Sequence, residues 1–395
     1  MSLTHTPLKV AMVMTDNRQQ LRCYELETPM LPPSQEPLIE AFSARADIEL
    51  HLLCCTKMAM NSPEKLASNI FYHSLVVTHW GWGRTGFLGC ARAVRKKAKE
   101  LGVDLVHGQG TERDSGVAAA MCGFPNLITL HGIMKRLHEL NLHGSSRVAR
   151  VSGFVCSILE SFALKRVCGT FANSRHTEAL VRKRTPQTWL VPNPIRSSFL
   201  KAPLANRAEK IIRVPKFLCV GRIDENKRQV EILRAFQRLY REGHRFVLQF
   251  AGPESSYEPW GAALGEVEGG DYVEQLGFLD EPSLIAAMDQ ADALVHFPLE
   301  ESFGLVVGEA LGREMAVFAS DVGGVRDICD GVPGTCLVDS VVELEEEIAD
   351  WIGRSCPNHP GANPIMALRY SPAVVAARHL DIYREILNEE VPVAS

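Results

Sequence analysis

The chain has 395 residues, of which 46% are apolar and 23% charged, proportions that fit a globular protein of two or three domains. The opening MSLTHTPLKVAMVMTDN lacks the apolar core and cleavage site of a signal peptide, and no apolar run reaches the roughly 20 residues of a membrane span; the sequence predicts a cytoplasmic protein. The net charge of −5 divides unevenly: residues up to Arg196 carry 24 Lys+Arg against 15 Asp+Glu, net +9, leaving 18 against 32, net −14. Such a division suits halves that meet different partners, one of them anionic, or two surfaces that are merely solvated.

In chain order, short apolar runs predict strands at 10–14, 48–54, 104–107, 126–130, 169–172 and 188–191, with helical stretches at 86–102 and 145–166 between them. The segment 197–214 breaks the rhythm and reads as a linker. A second series predicts strands at 217–220, 246–251, 273–277, 293–296, 316–319 and 335–338. Between the first two lies RQVEILRAFQRLYREG, whose apolar residues recur at helical spacing and stop at Gly243. The last segment, 371–395, starts as a helix with Ser371 as cap and Pro372 in its first turn. Alternation of this kind predicts an α/β chain of two doubly wound domains, 1–196 and 215–370, with 371–395 crossing back to the first. Ligands of such sheets bind outside the carboxyl ends of the strands, so two facing sheets would place a site in the cleft.

HFPLEESFGLVVGEALGRE carries the most chemistry. A strand runs into two acids, Glu300 and Glu301, then Ser302-Phe303-Gly304, and a helix with a further acid at Glu309, eight residues after Glu301. The amides of Phe303, Gly304 and Leu305 would face a phosphate or sugar oxygen, and Gly304 would leave them unobstructed. A carboxylate can accept from two vicinal hydroxyls, which suits Glu309 to a ribose and Glu301 to a second polyol. In FLCVGRIDENKRQVEI, Arg222 follows the strand end at Gly221 and Lys227 precedes a helix; the two could clamp a diphosphate, or Arg222 could pair with Asp224 or Glu225. Gly323-Gly324 in ASDVGGVRDI offers further amides, or forms a plain turn into a helix.

Together these residues resemble the retaining GT-B glycosyltransferases, in particular family 4. The matching pieces are Gly221-Arg222, Lys227, the stretch QLGFLDEPSL through ASDVGGVRDI, and in the first half DLVHGQG, TLHG and FANSRH. The resemblance implies two Rossmann-like domains, an N-terminal one for the acceptor and a C-terminal one for a nucleotide sugar. It implies Glu309 on the donor ribose, and Glu301 on the transferred sugar with the amides of Phe303, Gly304 and Leu305. Arg222 and Lys227 would lie on the leaving diphosphate, and His131 beside the sugar. The leaving phosphate would take the acceptor's proton, so no separate base is needed. No Asp-x-Asp occurs and the eleven cysteines are scattered without a CxxC pair, which predicts reduced thiols, no cofactor and no metal, with cations and helix ends in its place.

The sequence departs from the family where acceptors bind. The glycine-rich turn after the first strand is replaced by MTDNRQQLRCYELETPMLPP, which makes Asn17 and Arg18 the candidate acceptor contacts. The PNG-x-D hinge appears as PNPIR, Pro192 to Arg196, and HxH as HGQ. Helix 145–166 carries Val151, Phe154, Val155, Ile158 and Leu159 among basic residues, a stripe that is either core or a face for anionic membrane. The expectation is a hexosyltransferase using a UDP-sugar, with GDP-mannose second, on a lipid-linked or cell-envelope glycan, without nucleic acid as a partner. The alternatives are a phosphorylase or synthase with a small soluble acceptor, or a non-catalytic sugar-nucleotide-binding protein.

Overall fold

The computed structural model describes residues 6–140, 142, 147–201, 214–253, 257–267, 270–357 and 359–388. The chain divides into two compact units, 1–194 with 372–395, and 195–371. Most of the expected linker lies outside the described residues, but its start forms a short helix, Ser197–Leu200, within the second unit.

In the first unit the strands are β1 (Leu8–Val13), β2 (Ile48–Thr56), β3 (Lys65–Ala67), β4 (Ile70–Val76), β5 (Leu105–Gln109), β6 (Asn126–Leu130), β7 (Gly169–Ala172) and β8 (Thr188–Leu190). They form one sheet in the order β3-β4-β2-β1-β5-β6-β7-β8, parallel except where β3 runs against β4. The second unit holds β9 (Lys216–Val220), β10 (Val247–Ala251), β11 (Val273–Gly277), β12 (Ala293–His296), β13 (Ala316–Ser320) and β14 (Thr335–Val338), ordered β11-β10-β9-β12-β13-β14 and parallel throughout. Helices cover both faces of such sheets, so central strands read as unbroken apolar runs; AVFAS of β13 is buried at every position. Strand order reverses between β1 and β5 and again between β9 and β12, and ligands of doubly wound sheets enter at such reversals.

The edge pair β3–β4 is absent from the sequence expectation. Strand β4 carries polar groups inside, which hides its apolar pattern: Tyr72 donates to Asp16 Oδ2 at 2.8 Å, and His73 meets His51 at 3.1 Å. The helix Pro372–Asn388 buries Val375, Ala376, Leu380, Ile382, Tyr383 and Ile386 in one core with Val10, Leu50 and Phe171, which makes it part of the first unit. Each such side chain contributes about 1.5–3 kcal/mol by leaving water.

Helix Arg147–Leu164 corrects the core reading of its stripe. Val151, Phe154, Val155 and Ile158 are exposed, at 64%, 52%, 42% and 52%, and only Leu159 of the stripe is half-buried. Its other side buries Ala163, Leu164 and Glu160; the Glu160 carboxylate accepts from Arg184 Nη2 at 2.7 Å, Thr111 Oγ1 at 3.0 Å and the Met134 amide at 2.7 Å. Among the described residues no helix is long and apolar enough to cross a membrane.

Candidate active site

In the second unit the loop after β12 brings three side chains onto one point. Glu301 Oε2 meets Lys227 Nζ at 2.5 Å and His296 Nε2 at 3.3 Å. Burial pushes the Glu301 carboxyl up, but the charge of Lys227 and the bond from His296 outweigh it and hold the group below the usual carboxylate range. Burial likewise pushes His296 below its ordinary value. The trio therefore consists of a carboxylate, an ammonium and a neutral imidazole.

Asn226 fixes the loop. Its Nδ2 donates to the Glu300 carbonyl at 3.0 Å, its Oδ1 accepts from the Glu300 amide at 3.0 Å, and its carbonyl accepts from Leu299 N at 2.8 Å. Gly323 and Gly324 back the loop from the other side. A Cβ on Gly323 would lie 1.8 Å from the Glu301 carbonyl oxygen, and one on Gly324 would lie 2.3 Å from that of Ser302. Gly324 N already donates to Glu301 O at 2.9 Å, so this pair works here by close approach and that amide is spent.

The helix Leu305–Gly312 starts at Gly304, whose φ of 95° is a conformation that favours glycine. Phe303 is buried with its ring edge-on to Tyr370 at 5.6 Å, which anchors the helix start. Leu305 packs beside the same core. One turn in, Glu309 is buried, and its Oε1 accepts from Arg196 Nε at 2.9 Å and Nη2 at 2.8 Å. Burial, reinforced by Glu281, prevails over Arg196 and leaves the Glu309 carboxyl above its ordinary value.

The cations expected on a diphosphate are both paired with acids. Lys227 lies on Glu301, and Arg222 Nε donates to Asp224 Oδ2 at 2.7 Å, the alternative the sequence left open. The Arg222 side chain is 78% exposed, so its pair is weakly held and easily exchanged for a ligand. Gly221, at φ 142°, ends β9 and donates to Ala251 O at 2.9 Å.

In the first unit a cavity of about 260 Å³ lies where strand order reverses, lined by Asn17, Gln35, Gln109, Glu112, Arg113 and His131 among others. His131 follows β6, and its Nε2 meets Gln109 Oε1 at 2.9 Å and Gln35 Nε2 at 3.3 Å. The shorter contact requires a proton on Nε2, because an amide oxygen only accepts. Burial pushes His131 down to about 4, so the ring is neutral and Nδ1 keeps a bare lone pair. His131 Nδ1 and Gln35 Oε1 are buried acceptors without a hydrogen-bond partner among the described residues, and a hydroxyl-bearing ligand would satisfy both. Glu112 sits between two glycines: a Cβ on Gly110 would lie 2.1 Å from one carboxylate oxygen, and one on Gly132 3.3 Å from the other. Burial pushes its carboxyl up to about 7.

Arg18 is corrected. It is fully buried rather than presented to an acceptor, and its guanidinium is spent on Asp16, Ser62 Oγ and the carbonyls of Leu26 and Asn61. Asn17 does line the cavity.

Two family models match the chain, Glycosyltransferase Family 4 over residues 38–199 and Glycosyl transferases group 1 over 206–358. The chain is a family 4-like GT-B glycosyltransferase. Solved structures share the whole fold at low identity. The sucrose-phosphate synthase of Thermosynechococcus elongatus superposes with a TM-score of 0.76 at 18% identity, over 96% of this chain and 99% of that one. A lipopolysaccharide outer core galactosyltransferase gives 0.68 at 16%, over 96% and 100%. Anabaena HepE in complex with UDP-glucose gives 0.66 at 16%, over 96% and 100%. No curated protein matches the chain by sequence.

Among the described residues of this glycosyltransferase, one group has metal-ligating potential: Cys55, Cys90 and Asp114, all buried. They belong to the first unit, whereas Arg222, Lys227 and Glu301 belong to the second. The Cys55 thiol is pushed well up by its bond with Cys90 and by burial, and burial raises the Asp114 carboxyl. The sequence reading missed Arg196, Asn226, Gln35 and Glu112. Only Arg196 left a trace, as the basic end of an altered hinge motif.

Proposed function

We propose that this glycosyltransferase moves a hexosyl unit from a nucleotide diphosphate sugar, a UDP-sugar before GDP-mannose, to a hydroxyl of a lipid-linked or cell-envelope glycan, with retention and without a metal. The observation that carries the reading is Glu301, kept ionised by Lys227 and His296 at the carboxyl end of β12, eight residues before the second carboxylate, Glu309. That HepE was solved with UDP-glucose supports the choice of nucleotide. Glu301 would accept from hydroxyls of the transferred sugar, and Glu309 from those of the ribose. As the bond between the anomeric carbon and the β-phosphate oxygen breaks, negative charge grows on the diphosphate. Lys227, Arg222 and the amides opening helix Leu305–Gly312 would stabilise it. The acceptor oxygen bonds to the anomeric carbon, and its proton passes to the departing phosphate. The first-unit cavity, rich in amides and hydroxyls, would hold the acceptor sugar, with His131 and Asn17 on its wall.

Mass spectrometry of products from a panel of nucleotide sugars with membrane extract tests the whole reading. Transfer should persist in EDTA, and a strict Mg²⁺ or Mn²⁺ requirement for the chemical step would overturn the metal-free mechanism. Glu309→Ala should weaken nucleotide binding by roughly 1–3 kcal/mol in calorimetry, because the ribose hydroxyls lose their acceptors. Equal affinity would remove Glu309 from the donor site.

The exposed stripe Val151, Phe154, Val155 and Ile158, with exposed Arg150, Lys165 and Arg166 on or beside the same helix, supports contact with an anionic membrane. Binding to anionic liposomes should fall as salt rises, since exposed charges are screened over about 8 Å at physiological salt. Arg147→Glu, Arg150→Glu, Lys165→Glu and Arg166→Glu together should abolish it and leave donor hydrolysis intact. A parent protein that ignores such liposomes at low salt would favour a soluble acceptor.

A further inference from the structure

The segment after the altered hinge motif is built into the helix that bears Glu309. Ile195 is fully buried, and a Cβ on Gly308 would lie 2.7 Å from its Cδ1. Phe199 is fully buried as well, and a Cβ on Gly312 would lie 3.1 Å from its carbonyl oxygen. Two glycines one turn apart thus let residues 195–199 lie directly against the helix face, and Arg196 enters between them. Its guanidinium stacks 4.4 Å from the Phe199 ring centre and gives Nη1 to Glu281 Oε2 at 3.0 Å. Nε and Nη2 both go to Glu309 Oε1. Neither of these bonds goes to Oε2.

We propose that Arg196 is a positioning residue for the nucleotide donor: it fixes the Glu309 carboxylate by one oxygen and leaves the other to the donor's ribose. The inference rests on the reading that Glu309 holds that ribose. A buried glutamate with no cation beside it takes up a proton, and a protonated carboxyl can no longer accept from both hydroxyls of a diol with full charge. Among the described residues, the charged groups that face Glu309 are Arg196 and Glu281. Glu281 pushes in the same direction as burial, so Arg196 alone opposes both. A guanidinium suits the task better than an ammonium, because its planar fork sets the carboxylate's orientation as well as its charge.

The test is calorimetric titration of the full chain with UDP, and with GDP in parallel, from pH 6 to pH 9. The parent sets the reference profile, in which Arg196 already lowers the pH at which Glu309 ionises. Arg196→Gln should bind about tenfold more weakly near pH 6, the scale of one lost hydrogen-bonded group, and should recover towards the parent as pH rises and Glu309 ionises. Turnover at saturating donor should stay within about twofold, since the loss falls on binding in ground state and transition state alike. Arg196→Lys, which keeps the charge and loses the fork, should bind more weakly than the parent with the parent's pH profile, and it decides the matter if the glutamine variant does not fold. Parent-like affinity and a parent-like pH profile in both variants would overturn the inference. If instead Glu309→Ala leaves nucleotide affinity unchanged, the ribose reading itself fails, whatever the Arg196 variants do.

Discussion

Lys227→Ala should lower turnover by on the order of 10²–10³, the range seen when one preorganised donor to a developing oxyanion is removed. The ammonium lies on Glu301 with its side chain 24% exposed, so it is held in place and still reachable. It has three donors, and the Glu301 bond uses one. The other two remain for the leaving diphosphate. The substitution also removes the largest of the interactions that offset the burial of Glu301, so its carboxyl should titrate higher than in the parent. Residual activity of Lys227→Ala should therefore rise with pH over a range where the parent is flat, because the sugar-binding carboxylate must first ionise. Arg222→Ala should reach a similar loss of turnover without loss of stability, since its pair with Asp224 is exposed and worth little. Steady-state kinetics across pH decide the matter; a Lys227→Ala enzyme with parental kcat would remove the cation from the mechanism.

How far the sequence reveals this site depends on the reach of each interaction. Glu301, Gly304 and Glu309 sit on one strand–loop–helix unit, so their arrangement follows from local rules. A strand end, a glycine in the left-handed region and a helical turn place them whatever the rest of the chain does. Strands such as β6 and β12 are legible for the same reason, as short runs buried on both faces. Arg196 and Asn226 are different. Each meets its partner across a long stretch of chain, Asn226 on Glu300 and Arg196 on Glu309. Nothing in PNPIR or DENK announces those partners, because they are fixed by which strands become neighbours at the reversal between β9 and β12. The same holds for the cavity: Gln35 and His131 come from two connections and Gln109 from the end of β5, which only the strand order brings together. The stripe on helix Arg147–Leu164 fails in the opposite sense, since a helical period identifies a face but not what covers it.

Arg18→Ala should destabilise the first unit by about 3–5 kcal/mol, the cost of removing one partner from a buried ion pair. Arg18 and Asp16 are 0% and 2% exposed, and Arg18 Nη2 meets Asp16 Oδ2 at 2.7 Å. Tyr72 donates to the same carboxylate oxygen, so three side chains from β4 and the loop after β1 close one network. Without the guanidinium, Asp16 is left as a buried carboxylate, and the carbonyls of Leu26 and Asn61 lose their donor. The pH dependence follows from the sign of the shift. Burial pushes the Asp16 carboxyl up, but its bonds from Arg18 and Tyr72 prevail and hold it below its ordinary 3.8. A carboxylate depressed in the folded state contributes stability that is complete above its unfolded value and is lost as pH falls through the folded one. The parent should therefore lose this contribution only in acid below about pH 4, near the unfolded aspartate value. In Arg18→Ala the bond from Tyr72 remains but the guanidinium no longer opposes burial, so the carboxyl should titrate higher than in the parent and the stability gap between parent and variant should narrow in acid. Nucleotide affinity should not change, because Glu301, Glu309 and Lys227 belong to the other unit. Urea unfolding of parent and variant at pH 4, 5 and 7, with UDP titrations alongside, measures all three effects. A variant that keeps its stability while its Michaelis constant for acceptor rises would return Arg18 to the acceptor site.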